Sequence, residues 1–440
     1  MTRRATTVIV LTGAFTSLSR VTFNHRRTLR RVGTAGALTL AAMAPALGQR
    51  AVTRAEADSA ALAGGARLAL ARADTAAALA RLLSARAIPN PTLGAVYSRA
   101  TPQKHLTLDI PVFDALYTRG LRVGQASAAV RAARLVFASE RIAALVEVDT
   151  TYTRALAANA RFRLSRQTAH DADSLRKMTV SRRDAGDASD LDVDLASVVS
   201  GQQLNLATDD SLSYMSALLT VQTLMGIPAD SVAIVLADSL VLATIDTVLM
   251  RRSLDSTATV LTAARGVTAS VAAADAALQA AELGIALQKR SIFALPSVSV
   301  GVEFGDPSEP GYLPLVGLSI PLPLFNRNQG PLAEARADRD RAYAQLTGAR
   351  LEARQRLVEG LREREQLIAK VARDRDLVIR AQRVADRSLT AYREGASALP
   401  AVLEARRSAR EVLSQYIDDL AALLTVNTEL RALTQTVPVP

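Results

Sequence analysis

Apolar and polar positions along this 440-residue chain follow two different periods, and the switches between them mark its elements. The clearest period of two lies at residues 297–304, where Val298, Val300, Val302 and Phe304 alternate with Ser297, Ser299, Gly301 and Glu303. After an exposed Asp-Pro-Ser-Glu-Pro-Gly turn at 306–311, Val316, Leu318 and Ile320 alternate with Leu315, Gly317 and Ser319. This strand runs on through Pro321 and Pro323 to Phe325, Asn326, Arg327, Asn328, Gln329 and Gly330, a turn that feeds directly into a helical run. A weaker copy lies about two hundred residues earlier. There Leu93, Ala95 and Tyr97 alternate with Thr92, Gly94 and Val96; after a turn at Thr101 to Lys104, Leu106, Leu108, Ile110 and Val112 alternate with Thr107, Asp109 and Pro111. Four strands are predicted, in the segments 91–112 and 296–323, each with one apolar and one polar or small face.

Each strand pair leads into a helical pattern far longer than a globular core needs. From Gln125 to Ala185 there are 61 residues without glycine or proline, which as one helix would reach about 90 Å. Gly186 breaks the run, and Ser189 with Asp192 three residues later predicts a capping box opening a return helix to Met225. Gly226, Ile227 and Pro228 close that hairpin. The second half repeats the plan: a proline-free run from Leu332 to Glu394, a break at Gly395, and a return helix with Pro400 in its first turn. A helical stretch precedes each strand pair, at Ala55 to Arg86 and at Leu254 to Ile292. LLTVQT at 218–223 is answered by LLTVNT at 423–428.

The predicted fold class is mainly α with a small β part: long antiparallel helical hairpins plus four amphipathic strands, in an internal two-fold repeat. The first repeat covers 49–228 and the second 254–433; between them 229–253 forms an intermediate, equatorial segment of short strands and turns, and 434–440 is a tail. Helices of this length need lateral partners, since helical stability comes mainly from packing.

Composition narrows the reading. Cysteine and tryptophan are absent, which excludes disulfides, thiolate metal sites and a lipidated cysteine. Any membrane attachment must come from the fold. The formal charge of +11 would point to nucleic acid, but seven arginines lie in the first 48 residues, which contain no acid. Discounting those seven leaves +4, ordinary for this length, so nucleic acid is not expected as a partner. Residues 1–48 read as a signal peptide: basic residues at Arg26 to Arg31, an apolar run at Gly36 to Leu47, and Ala46-Leu47-Gly48 as the cleavage site.

Strands with a dyad period and one apolar face have the character of outer-membrane strands, yet the smallest membrane barrels use eight. An open sheet edge in hydrocarbon would leave costly unpaired backbone groups. Three copies of the chain would supply twelve strands and close a β-barrel, with the helices forming a second, α-helical barrel in water. A homotrimer in contact with outer-membrane lipid is therefore predicted.

GLSIPLPLFNRNQG at 317–330 and YREGASALPAVLEARRS at 392–408 resemble the two signature regions of TolC-type outer-membrane efflux channels, the first closest to the cobalt-zinc-cadmium branch. The resemblance implies a passive conduit in the cell outer membrane with a long periplasmic extension. It would carry metal cations or drugs from an inner-membrane pump of the resistance-nodulation-division type and its periplasmic adaptor, a membrane fusion protein. Gly186 and Gly395 would turn the hairpin tips, where Asp192 and Glu404, with Arg393 and Glu394, are the candidate gate residues. A second gate acid of some relatives is Ala401 here, and the interfacial aromatics are limited to Tyr97, Phe304, Tyr312 and Phe325. The same residues also allow a conduit for type I protein secretion, or a periplasmic coiled-coil scaffold without a pore.

Nothing in the sequence has the arrangement of an enzyme. His25, His105 and His170 have no metal-ligand spacing, and no phosphate-binding glycine loop or nucleophile elbow occurs. No catalytic, cofactor or metal site is expected. The run Asp184, Asp187, Asp190, Asp192 and Asp194 lacks the glycine and terminal glutamate of a calcium loop. His170, Asp171 and Asp173 are a marginal candidate for a transported divalent ion.

Overall fold

A computed structural model describes residues 50–230, 233–240, 268–293 and 296–434. The signal segment, residues 241–253 of the intermediate segment, the helix expected from Leu254 to residue 267 and nearly all of the tail lie outside the described residues.

Strand β1 (Arg50–Val52) opens the described chain, followed by helices α1 (Arg54–Gly64) and α2 (Ala66–Arg86). The single helix expected from Ala55 to Arg86 is thus two, because Gly65 takes an extended conformation with φ −63° and ψ 130°. Thr53 and Glu56 form a capping box at the start of α1. Strands β2 (Thr92–Tyr97) and β3 (Lys104–Ile110) follow, then a short α3 (Val112–Tyr117) and the 66-residue α4 (Arg119–Asp184). β3 stops before Val112 because Pro111 has no donor for the ladder. α4 begins earlier than the glycine-free run suggested and takes Gly120 and Gly124 into its first turns.

Helix α5 (Asp190–Leu224) returns along α4, and β4 (Ile234–Leu236) pairs in parallel with β1. Then come α6 (Ala269–Arg290), a 3₁₀ turn (Ser291–Phe293), β5 (Ser297–Phe304), β6 (Leu313–Ser319), the 65-residue α7 (Gln329–Arg393) and α8 (Leu399–Thr434). β6 ends at Ser319 rather than at residue 323, since Pro321 and Pro323 lack the N–H groups a strand would need. At ~1.5 Å per residue, α4 and α7 are each about 100 Å long.

One half of each long helix lies near the sheet and the other at the hairpin tips. Near the sheet, Ala132 and Leu135 of α4 pack on Ala273 and Ala276 of α6, and Val130 packs on Ala78 and Leu82 of α2. Towards the tips, Ala157 of α4 meets Ile417 and Ala421 of α8, while Val371 of α7 packs on Tyr416, Leu420 and Leu423. The alanines let the helix axes approach closely. A denser cluster sits midway along α4, where Tyr152, Val148 and Leu156 pack with Val52, Ala57, Val221 and Ile234. The Tyr152 hydroxyl lies 2.9 Å from Val52 O and 2.8 Å from Asp238 Oδ2, its one proton shared between the two acceptors. Burial, then the Asp238 carboxylate, push its pKa well up.

Candidate functional site

Two regions carry chemistry, the sheet at one end of the long helices and the hairpin tips at the other. The sheet has strand order β2-β3-β5-β6, with every pair antiparallel. Its register places like with like: Leu93 faces Leu108, which faces Val300, which faces Val316. Ala95, Leu106 and Val302 form the next row. The opposite surface carries Gly94, Thr107, Asp109, Ser299, Gly301 and Gly317. On it His105 and Glu303 stand opposite each other, with Nδ1 and Oε1 3.1 Å apart. Gly301 is required there, because a Cβ would come within 2.3 Å of Leu106 O.

Among the described residues nothing covers the apolar surface. Leu93 is 71% exposed, Val316 76% and Leu318 58%. Six to eight residues per strand give strands roughly 20–27 Å long at ~3.4 Å per residue, somewhat short of the roughly 9–11 residues with which a tilted strand crosses an outer membrane. Aromatic side chains mark both ends. Tyr97, with Phe304 and Tyr312 in contact at 5.5 Å between ring centroids, lies at the end with the tight loops. Phe325, 91% exposed, lies at the end where the helices begin. The stacked pair Phe113 and Tyr117 of α3 joins it there, and sequence reasoning missed both.

The Asn-Arg-Asn-Gln-Gly turn is built by its own side chains. Asn326 Oδ1 accepts from Asn328 N at 3.0 Å, and Gln329 Oε1 from Arg327 N at 2.7 Å. Asn328 takes a left-handed conformation at φ 61°, which asparagine tolerates better than most residues. Its Nδ2 donates to Gln288 O at 2.8 Å and Ser291 Oγ at 2.6 Å, tying the start of α7 to the end of α6. Leu322 and Leu324, which follow Pro321 and Pro323, are exposed.

At the other end, Gly186 and Gly395 have φ of 85° and 76°, the left-handed values each tip needs. Ser189 caps α5 with Asp192 as expected: Ser189 Oγ accepts from Asp192 N at 3.1 Å, and Asp192 Oδ2 accepts from Ser189 N at 3.1 Å. Glu404 is held by Arg407 through two contacts of 3.1 Å. Both candidate acids thus have local partners. Arg393 and Glu394 are exposed and have no ion pair among the described residues.

What joins the two tips was not read from the sequence. Tyr392 is buried between the hairpins, and the guanidinium of Arg182 lies over its ring at 4.6 Å and donates to its carbonyl oxygen. The Tyr392 hydroxyl is 3.2 Å from Thr179 Oγ1. Thr179 spends its own proton on Leu175 O at 3.0 Å, so the tyrosine is the donor. Arg182 also places its charge at the carbonyl end of α7, where a cation is favoured. The one available signal was an aromatic residue three positions before a helix-breaking glycine.

His170 is well exposed and 3.9 Å from Asp171, while Asp173 is taken by Arg176 and Lys177 at 2.8 Å each. Among the described residues no cluster of three histidine or acidic side chains could hold a metal ion. Among them, too, α6 alone is long and apolar enough to cross a membrane by length and composition; it packs on α4 and α7.

Residues 260–435 match the family described as outer membrane efflux protein. No curated protein matches the chain by sequence. Among solved structures, the chain is similar to the CmeC outer membrane channel of Campylobacter jejuni, with a TM-score of 0.70 at 12% identity, over 87% of this chain and 85% of that one. It is also similar to the outer membrane protein VceC of Vibrio cholerae, at 0.66 and 16% identity over 87% and 96%. The MtrE outer membrane channel of Neisseria gonorrhoeae gives 0.61 and 14% identity over 87% and 88%. The fold is that of these outer-membrane channels.

Proposed function

We propose that the protein is a passive outer-membrane channel of a tripartite efflux system. The observation that carries the reading is an uncovered, register-matched apolar sheet, open at both edges and joined to helices about 100 Å long. β2 and β6 run in opposite directions, so the β6 edge of one copy can pair with the β2 edge of the next and continue the antiparallel pattern. Three copies close twelve strands, and the polar face carrying His105 and Glu303 turns to the water-filled lumen.

The internal two-fold repeat is part of the proposal. The order helix, strand, strand, long helix, return helix occurs twice, and the matched valines of the two echoed motifs, Val221 and Val426, are both buried. The helices reach towards a periplasmic adaptor and an inner-membrane pump, for which the resistance-nodulation-division type is the proposed partner. The cargo class, metal cations or drugs, is proposed from the resemblance of the 317–330 signature, while the family matched at 260–435 supports efflux without naming a cargo.

At the tips, the Arg182–Tyr392–Thr179 contact holds the two hairpins together and favours a closed aperture, which Asp192 and Glu404 are proposed to line. In planar bilayers the protein gives discrete ion-conducting steps. An Asp192→Asn, Glu404→Gln double variant changes resting conductance or lowers cation preference, and unchanged currents remove these acids from the gate. A water-soluble protein without conductance would instead support the scaffold reading.

A further inference from the structure

Just behind the tips, a cavity of about 450 Å³ opens between the two hairpins, a size suited to a small organic molecule. Its floor is Ala172 and Leu175 of α4, and its walls are α5 on one side and α8 on the other. The lining is apolar at Leu195 and Leu403, but α8 also brings three arginines to it, Arg406, Arg407 and Arg410.

These cations are unevenly matched. Arg407 is bound by Glu404, and Arg406 has Asp171 only at 3.9 Å. Arg410 has no ion pair among the described residues, and its Nε is buried without a hydrogen-bond partner. Across the cavity the Gln203 Oε1 is buried and unpartnered too. An unsatisfied guanidinium N–H in a half-apolar cavity is costly, and a carboxylate is the acceptor whose geometry fits its fork.

We infer that this cavity is a binding site for an organic anion, a single carboxylate on an apolar body. The carboxylate accepts from Arg410, with Arg406 adding charge, and the body lies on Leu175, Leu195 and Leu403. The site lies within one chain and does not depend on the conduit reading. A ligand there touches α5 and α8 together and so ties one hairpin to the other.

The test is calorimetric titration of the full chain, in an uncharged maltoside detergent, with 2-naphthoate, 2-naphthamide and inorganic phosphate. Naphthoate binds saturably at one per chain, while the amide and phosphate bind at least tenfold more weakly. Arg410→Gln weakens naphthoate at least tenfold with an unchanged helical circular dichroism spectrum. Absent or non-saturable naphthoate binding, equal binding of the amide, or an unaffected Arg410→Gln variant that folds would each overturn the assignment. The ligand comparison on the unaltered protein decides the matter if the variant does not fold.

Discussion

A single carboxyl pair shows how finely residues are balanced along the α7–α8 hairpin. Asp419, buried on α8, accepts from Lys370 Nζ at 2.7 Å and Gln415 Nε2 at 3.1 Å, and Asp374 shares the site. Burial first, then the neighbouring Asp419, raise the Asp374 pKa, against the opposing pull of Lys370 and Arg373. Burial would raise Asp419 as well, but the neighbouring Asp374 and the hydrogen bonds from Lys370 and Gln415 together hold it low. The folded state keeps the Asp374 proton to higher pH than the unfolded chain does, so that contribution is complete below the unfolded value and is lost as pH rises through the folded one. Asp419 behaves oppositely, its contribution being lost as pH falls through its depressed folded value. Asp374→Asn removes the first effect, so thermal melts should show a Tm higher by on the order of 1 °C at pH 7, with the gain gone below about pH 4. An unchanged or lower Tm at pH 7 would contradict this.

The tyrosine at the tips gives a second prediction. Tyr392→Phe keeps the packed ring and loses one hydrogen bond, about 1 kcal/mol; Arg182→Ala loses the ring contact and the carbonyl bond together. Hydrogen exchange at 183–190 and 393–399 should accelerate in both variants, more in Arg182→Ala. Equal protection in all three proteins would show that the contact does not hold the tips.

Elements were legible where local chemistry decides them. Ser189 and Asp192 announced their capping box because both partners lie within one turn, and Gly186 and Gly395 announced the tips because the backbone there needs positive φ. Ser189→Ala should cost about 1 kcal/mol and fray the first turn of α5, visible as faster exchange at residues 192–195; unaltered exchange would mean that packing against α4 holds the turn without its cap. Boundaries set by missing donors were less legible. Alternation carried β6 to residue 323 and β3 to Val112 in the sequence, but Pro321 and Pro111 end the ladders sooner. The Tyr392 contacts left only the aromatic position before Gly395 as a signal, since Arg182 and Tyr392 are 210 residues apart and meet only after both hairpins have packed.

For the whole molecule, the apolar face was legible strand by strand, and the structure adds the register that merges four faces into one. The assembly rests on the two free edges. β2 and β6 are separated by three strand spacings, roughly 14 Å at ~4.8 Å each, while a disulfide needs Cα atoms within ~7 Å. A bond between these edges must therefore join two copies, and the absence of native cysteine makes any such bond unambiguous. Ala95→Cys combined with Val316→Cys, together with pairs shifted by two residues along each strand, covers the available registers.

The most direct measurement is oxidation of these double variants in native membranes, followed by denaturing electrophoresis. The account predicts covalent species of two and three chains, none larger, and only monomers in the single variants. Double variants that stay monomeric in every register, or that ladder beyond three chains, would contradict a barrel shared by three copies.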